Sequence, residues 1–255
     1  MAVAVAHEVT GAGPTVVLSN SVGSTRGMWD PQVPALVAAG YRVIRYDARG
    51  HGASPVPPGP YSMDDLADDL AALLDTTGTE CAHVVGLSLG GMTAMRLTAR
   101  HPDRVASLAV LCTSALLGPP QFWLDRAAAV RAAGTGSIAE AIVGRWFTER
   151  TRRADPPTVA AAVAMVSSVP AEGYAGCCEA IAAMDLRADL PGIAVPTLAL
   201  AGAEDPATPP EHLEYIAKSI PGAALVVVPE AAHLANLERP DAVNAALLEH
   251  LAAAR

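Results

Sequence analysis

Short apolar runs alternate along the chain with longer stretches in which apolar residues recur every three or four positions. That alternation predicts an α/β fold, a mostly parallel central sheet with helices on both faces. The runs at 15–19, 42–46, 82–86, 105–111, 197–201 and 224–228 predict strands, and the stretches at 31–39, 63–76, 89–100, 211–220 and 242–253 predict helices. Asp30 and Ser62 stand where N-caps are expected. From about 119 to 190 the alternation lapses, leaving only alanine-rich helical segments such as 122–133, 138–147 and 158–166. Because strand character resumes at Val195, the expected organisation is one domain. Residues 1–118 and 191–255 form its core, and 119–190 form an inserted helical cap over the carboxyl edge of the sheet.

Composition narrows the picture. A chain of 255 residues that is 51% hydrophobic can bury one large core, although its length alone would also fit two small domains. The uncharged stretch 105–124 is long enough to raise the question of a membrane span, but Ser107, Thr113, Ser114, Gly118, Pro119, Pro120 and Gln121 interrupt it. It reads as a buried strand followed by a loop. No Lys or Arg precedes Arg26, so the basic region of a secretory signal is missing. Cys81, Cys112, Cys177 and Cys178 lack the paired spacing of a zinc site, and the adjacent pair reads as cap packing. The expectation is a cytoplasmic protein without a metal or cofactor. A net charge of −9 argues against a nucleic-acid surface and would repel an anionic substrate at long range, so such a substrate needs local arginines. Sixteen of the 17 basic residues are Arg, with Lys218 the exception, a skew that suits the coding composition of an alanine-rich chain.

The strongest local signal is Gly86-Leu87-Ser88-Leu89-Gly90, which follows a strand pattern and opens a helical one, as a nucleophile elbow requires. The turn strains the backbone at Ser88, and side chains at positions 86 and 90 would collide with the adjoining elements. A serine hydroxyl is a weak nucleophile at neutral pH. It needs a histidine to take its proton and a carboxylate to hold that histidine in the right tautomer. In folds built around such an elbow the partners follow in the order serine, acid, histidine. Asp205 lies just past the strand pattern at 197–201, and His233 just past the one at 224–228, so both belong in loops at the same sheet edge as Ser88. Glu204 is the competing acid; His212 and His250 are the competing bases, but they sit in helical stretches.

Attack on a carbonyl creates an oxyanion, which backbone N–H groups at a helix start can meet. Leu89 N–H is one such donor. The loop Leu18-Ser19-Asn20-Ser21-Val22-Gly23 after the first predicted strand should supply the second, from Val22 or alternatively Ser21. Asp47 and His51 in the loop Tyr46-Asp47-Ala48-Arg49-Gly50-His51-Gly52-Ala53-Ser54 precede Ser88, against the expected order. That loop reads as a tight structural turn.

Over nearly its whole length the chain resembles the 3-oxoadipate enol-lactone hydrolases of the α/β-hydrolase superfamily, enzymes of aromatic-compound catabolism in the β-ketoadipate pathway. The likeness lies in Ser19-Asn20-Ser21, where many relatives of the fold carry His-Gly, in Met28-Trp29-Asp30, and in the run from Arg49 through Ser54 to Tyr61. It continues through the elbow to Met92, then Leu111-Cys112-Thr113-Ser114-Ala115, Arg145-Trp146-Phe147, Ala183-Met184-Asp185-Leu186-Arg187 and Asp205-Pro206-Ala207-Thr208-Pro209-Pro210. The elbow is shared across the superfamily; the cap segments are more specific, because a cap usually shapes the substrate pocket. Some relatives are fused to a carboxymuconolactone decarboxylase domain. This sequence stops at Arg255, so such a partner is expected to be separate.

The resemblance implies hydrolysis of a five-membered enol lactone bearing an acetate arm. The arm should need a cation, for which Arg126 and Arg145 in the cap are the candidates, with Trp123 and Trp146 as walls. Two other readings fit the same chain: a cofactor-free haloperoxidase or general esterase using the same triad, and a non-catalytic binding module on this fold.

Overall fold

The computed structural model describes residues 1–254; Arg255, the expected end of the core, lies outside the described residues. Among the described residues seven strands form one sheet: β1 (His7–Thr10), β2 (Thr15–Ser19), β3 (Arg42–Tyr46), β4 (Ala82–Leu87), β5 (Val105–Leu111), β6 (Thr197–Gly202) and β7 (Ala224–Val228). Their order across the sheet is β1-β3-β2-β4-β5-β6-β7, and only β1 runs antiparallel. β2, β4 and β6 are buried along their whole length, which is why they read as continuous apolar runs. β1 escaped the sequence pattern because all four of its residues are exposed; pairing with β3 and the ion pair of Glu8 with Arg45 hold it in place.

The helices are α1 (Val33–Ala38), α2 (Met63–Thr76), α3 (Leu89–Arg100), α4 (Pro120–Ala133), α5 (Ala139–Trp146), α6 (Glu149–Ala154), α7 (Pro156–Ser168), α8 (Ala171–Ala182), α9 (Pro210–Ser219), α10 (Ala235–Glu238) and α11 (Pro240–Ala253). α1 and α11 pack together beside the sheet, while α2 lies against α3, which crosses β2, β4 and β5. Ser62 caps α2 as expected: its hydroxyl accepts from Asp65 N–H at 3.1 Å, and the Asp65 carboxylate accepts from Ser62 N–H at 3.0 Å. Asp30 does not cap α1. Its backbone is already helical and its N–H is bound to Gly27 at the end of a 3₁₀ turn, and its carboxylate pairs instead with Arg45. α1 is shorter than the pattern suggested and begins at Val33.

Between β5 and β6 the chain forms α4 to α8, with no strand among the described residues. The sequence pattern missed α8, whose alanine, glycine and cysteine content carries little amphipathic contrast. α8 lies directly on the turn after β3, where Gly50 has φ +75°. A Cβ at Gly173 would stand 2.0 Å from Gly50 O, and a Cβ at Gly176 would stand 2.7 Å from the Tyr61 ring. Backbone therefore meets backbone, which only glycine permits. Arg131 of α4 bridges Glu172 and Glu179 of α8, and Glu172 also accepts from Gly59 N–H at 2.7 Å. This ties the inserted helices to the core.

Gly173→Ala should force α8 away from Gly50 and destabilise the protein by about 1–3 kcal/mol, the usual cost of overpacking. Thermal unfolding followed by circular dichroism should show a melting temperature several degrees lower; an unchanged value would mean that this contact is not tight.

Candidate active site

β4 ends at Leu87 and α3 begins at Leu89, so Ser88 alone makes the turn between them. Its φ of 55° and ψ of −116° are strained for a residue with a side chain, a conformation that costs on the order of 1–3 kcal/mol and persists only when its surroundings impose it. Here Ser88 N–H donates to Leu111 O at 2.9 Å, and Ser88 O accepts from Met92 N–H at 3.0 Å and Thr113 Oγ1 at 2.7 Å. The flanking glycines let the elements close around it. A Cβ at Gly86 would meet Gly90 O at 2.2 Å, and one at Gly90 would meet Ser19 O at 2.1 Å. The second contact seats the loop after β2 against the start of α3.

That loop is anchored by side chains the sequence displayed without revealing their purpose. Asn20 donates to Tyr46 O at 2.6 Å and accepts from Trp29 Nε1 at 2.9 Å, and Ser19 Oγ pairs with Tyr46 OH at 2.7 Å. Ser21 N–H is taken by Met28 Sδ at 3.4 Å, and Gly23 N–H by His51 Nε2 at 2.9 Å. Val22 N–H between them, like Leu89 N–H, has no protein partner among the described residues. The geometry thus favours Val22 over Ser21 as the second free donor. His51 is fully buried, and burial pushes its pKa below the usual imidazole value. With Nε2 accepting, its Nδ1 donates to Arg49 O at 3.1 Å. Asp47 accepts from Arg26 N–H at 2.8 Å. Both residues brace the loop that carries Val22, in keeping with a structural turn.

His233 and Asp205 meet from different loops, with His233 Nδ1 2.8 Å from Asp205 Oδ2. The Asp205 carboxylate also accepts from Thr208 Oγ1 at 2.7 Å, Ala207 N–H at 2.7 Å and Thr208 N–H at 3.1 Å. Burial would raise the Asp205 carboxyl, but the charge and hydrogen bond of His233, with those of Thr208 and Ala207, outweigh it and hold the group below the usual carboxylate range. Thr208, fully buried, was missed as a site residue; an aspartate accepting from N–H groups two and three positions on is a recognisable turn signature. Glu204 is exposed, His212 is bound to Ser114 Oγ at 2.7 Å, and His250 lies on α11, so none of the three competes. A further residue, Glu238, accepts from Ala232 N–H at 2.5 Å, Thr148 N–H at 2.8 Å and Thr148 Oγ1 at 2.9 Å. It fastens the His233 loop to the inserted helices.

Ser88, His233 and Val22 open on one small cavity of about 80 Å³. Its far wall comes from the insertion: Trp123 and Arg126 of α4, Arg145 and Trp146 of α5, and Tyr174 of α8. All four insertion residues singled out in the sequence are therefore gathered there; Tyr174 and Phe122 were not foreseen. Arg126 stacks on Phe122 and Trp123, 4.5 and 4.7 Å from their ring centres. Arg145 gives one N–H to Pro206 O at 3.1 Å. Neither guanidinium has a carboxylate partner among the described residues. Ser88 Oγ and His233 are likewise not joined by a hydrogen bond there, although both border the same space. Contacts of this kind commonly tighten only when substrate binds.

A strained serine elbow and a buried histidine–carboxylate pair on a mostly parallel sheet are the arrangement expected of a hydrolase, and the alpha/beta hydrolase fold family matches residues 14–240. The chain belongs to that family and is an enzyme of its hydrolase type. Its likeness to enol-lactone hydrolases holds in detail. It is 40% identical to 3-oxoadipate enol-lactonase 2 of Acinetobacter baylyi over 92% of this chain and 87% of the relative. The crystal structure of the enol-lactonase from Burkholderia xenovorans LB400 superposes with a TM-score of 0.94 at 40% identity, covering 97% of this chain and 96% of the other. A thermophilic esterase from Thermogutta terrifontis, solved with malate bound, gives 0.93 at 37% identity over 98% and 93%. No helix among the described residues is long and apolar enough to cross a membrane.

Because the folded-state pKa of Asp205 is depressed, its ionisation contributes stability that is fully present above the unfolded carboxylate value near 4 and is lost as pH falls through the lower folded value. The stability difference between wild type and Asp205→Asn, measured by urea unfolding, should therefore shrink between pH 6 and pH 3. A difference independent of pH would contradict the depressed value.

Proposed function

We propose that the protein opens 3-oxoadipate enol lactone to 3-oxoadipate, with Ser88, His233 and Asp205 as its catalytic triad. On this reading residues 1–118 and 191–255 are the catalytic core and 119–190 a cap that selects the substrate. What carries it is the sharing of one cavity by the Ser88 elbow, His233 with Asp205 behind it, and two arginines without a carboxylate partner among the described residues. In a chain of net charge −9, leaving two such cations beside the nucleophile fits an anionic substrate.

His233 takes the Ser88 proton as Oγ attacks the ring carbonyl, and Val22 and Leu89 N–H groups receive the oxyanion. Collapse breaks the ring C–O bond and releases an enolate, which His233 can reprotonate as general acid. An enolate leaves more readily than an alkoxide, so the step makes modest demands on that acid. Water, deprotonated by His233, then attacks the acyl–Ser88 ester; its cleavage returns the proton to Ser88, and the freed enol tautomerises to the ketone. Asp205 holds the imidazole and stabilises its cation. Arg126 and Arg145 hold the acetate arm between the Trp123 and Trp146 walls. The relatives named for enol-lactone support the substrate, and a similar esterase solved with malate bound is compatible with a carboxylate ligand.

Purified protein should turn over enzymatically generated enol lactone with kcat/KM well above that for a simple aryl ester and without peracid formation from acetate and peroxide. A preference for the aryl ester, or efficient perhydrolysis, would overturn the substrate in favour of a general esterase or haloperoxidase. Ser88→Ala should lower kcat by roughly 10⁴-fold or more, and Arg126→Ala should raise KM for the lactone about tenfold or more while sparing the aryl ester.

A further inference from the structure

Two hydroxyls in the cavity wall are buried without a hydrogen-bond partner, Ser21 Oγ and Tyr174 OH. Ser21 is 2% exposed and Tyr174 0%. The other buried polar atoms without partners, on Asn236, Asn244 and His250, lie outside this cavity. Removing a hydroxyl from water without giving it a partner destabilises a fold, and most buried groups avoid it. Finding two on the walls of one small cavity beside a strained serine points to a partner that arrives with the ligand.

Their surroundings give each a different part. Ser21 has its backbone fully committed: its N–H goes to Met28 Sδ, and its C=O accepts from Ser24 Oγ at 2.7 Å and Ser24 N–H at 3.2 Å. That pins the residue immediately before Val22 and leaves its side-chain hydroxyl as its only uncommitted donor. Tyr174, on α8, sets its ring against the same loop, since a Cβ at Gly23 would lie 3.1 Å from Tyr174 Cε2. Its hydroxyl borders the Arg126 guanidinium without meeting hydrogen-bond geometry. Burial keeps the phenol protonated and so a donor.

We infer that Tyr174 OH joins Arg126 in holding the carboxylate of the substrate, while Ser21 Oγ donates a third hydrogen bond to the carbonyl oxygen beside Val22 N–H. The inference rests on the reading of Ser88 as nucleophile given above, and adds two specificity-determining residues to it.

Tyr174→Phe and Ser21→Ala each delete one oxygen atom, and each is assayed on the enol lactone, on a monoaryl succinate and on the uncharged aryl butyrate. For Tyr174→Phe, KM on the two carboxylate-bearing substrates should rise roughly ten- to hundredfold, as for a lost hydrogen bond to a charged group, with the butyrate unaffected. For Ser21→Ala, kcat should fall about tenfold on all three. Neither variant should melt below the wild type, because each removes a buried unsatisfied group; a gain of about 2–4 °C is expected where the site closes over the lost atom. Wild-type kinetics in both variants, or activity losses that spare no substrate in Tyr174→Phe and accompany a lower melting temperature, would overturn the inference. A wild-type enzyme inactive on the enol lactone but active on the aryl esters would instead overturn the proposed substrate, and the succinate–butyrate comparison would still test both hydroxyls.

Discussion

Everything at the site depends on holding one serine in a conformation that serine avoids. The φ of 55° at Ser88 is imposed by Leu111 from β5, Thr113 just beyond it and Met92 within α3, each bound to the Ser88 backbone. Such bonds can close only because Gly86 and Gly90 bring strand, helix and the β2 loop within backbone contact. The strain accompanies a Ser88 that borders the cavity together with Val22, and neither Val22 N–H nor Leu89 N–H has a protein partner among the described residues.

The same economy of contact extends to the insertion. α8 rides on Gly50 through Gly173, and the residue after Gly50 is His51, whose ring holds Gly23 N–H. One loop therefore supports the inserted helices on its outer side and the donor-bearing loop on its inner side. Glu238 makes a second such joint, binding Thr148 and Ala232 with one buried carboxylate. The inserted helices and the loops at the sheet edge are consequently joined through one close backbone contact and two buried side chains.

Much of this was legible in the sequence. Buried parallel strands appear as unbroken apolar runs, so six of the seven strands could be read, and the elbow spacing with the order of Ser88, Asp205 and His233 pointed to one sheet edge, where His233 meets Asp205 and shares a cavity with Ser88. β1 was invisible because its four exposed residues bury nothing, and α8 because helices packed through glycine have no apolar stripe. The N-cap assigned to Asp30 failed for a tertiary reason, since Arg45 from the neighbouring strand claims that carboxylate. His51, Glu238 and Tyr174 act through long-range contacts that no local pattern encodes, whereas Thr208 belongs to a local turn around Asp205. Arg126 and Arg145 were singled out because the enol-lactone hydrolase resemblance implies an acetate arm that needs a cation, and both line the cavity.

The central claim is that Ser88 is an activated nucleophile rather than a strained turn residue. Intact-protein and peptide mass spectrometry after treatment with an organophosphonate ester tests it most directly. The account predicts one phosphonyl adduct per chain, on the peptide carrying Ser88, formed far more slowly in His233→Ala. A chain that stays unlabelled, or is labelled at another residue, would contradict it.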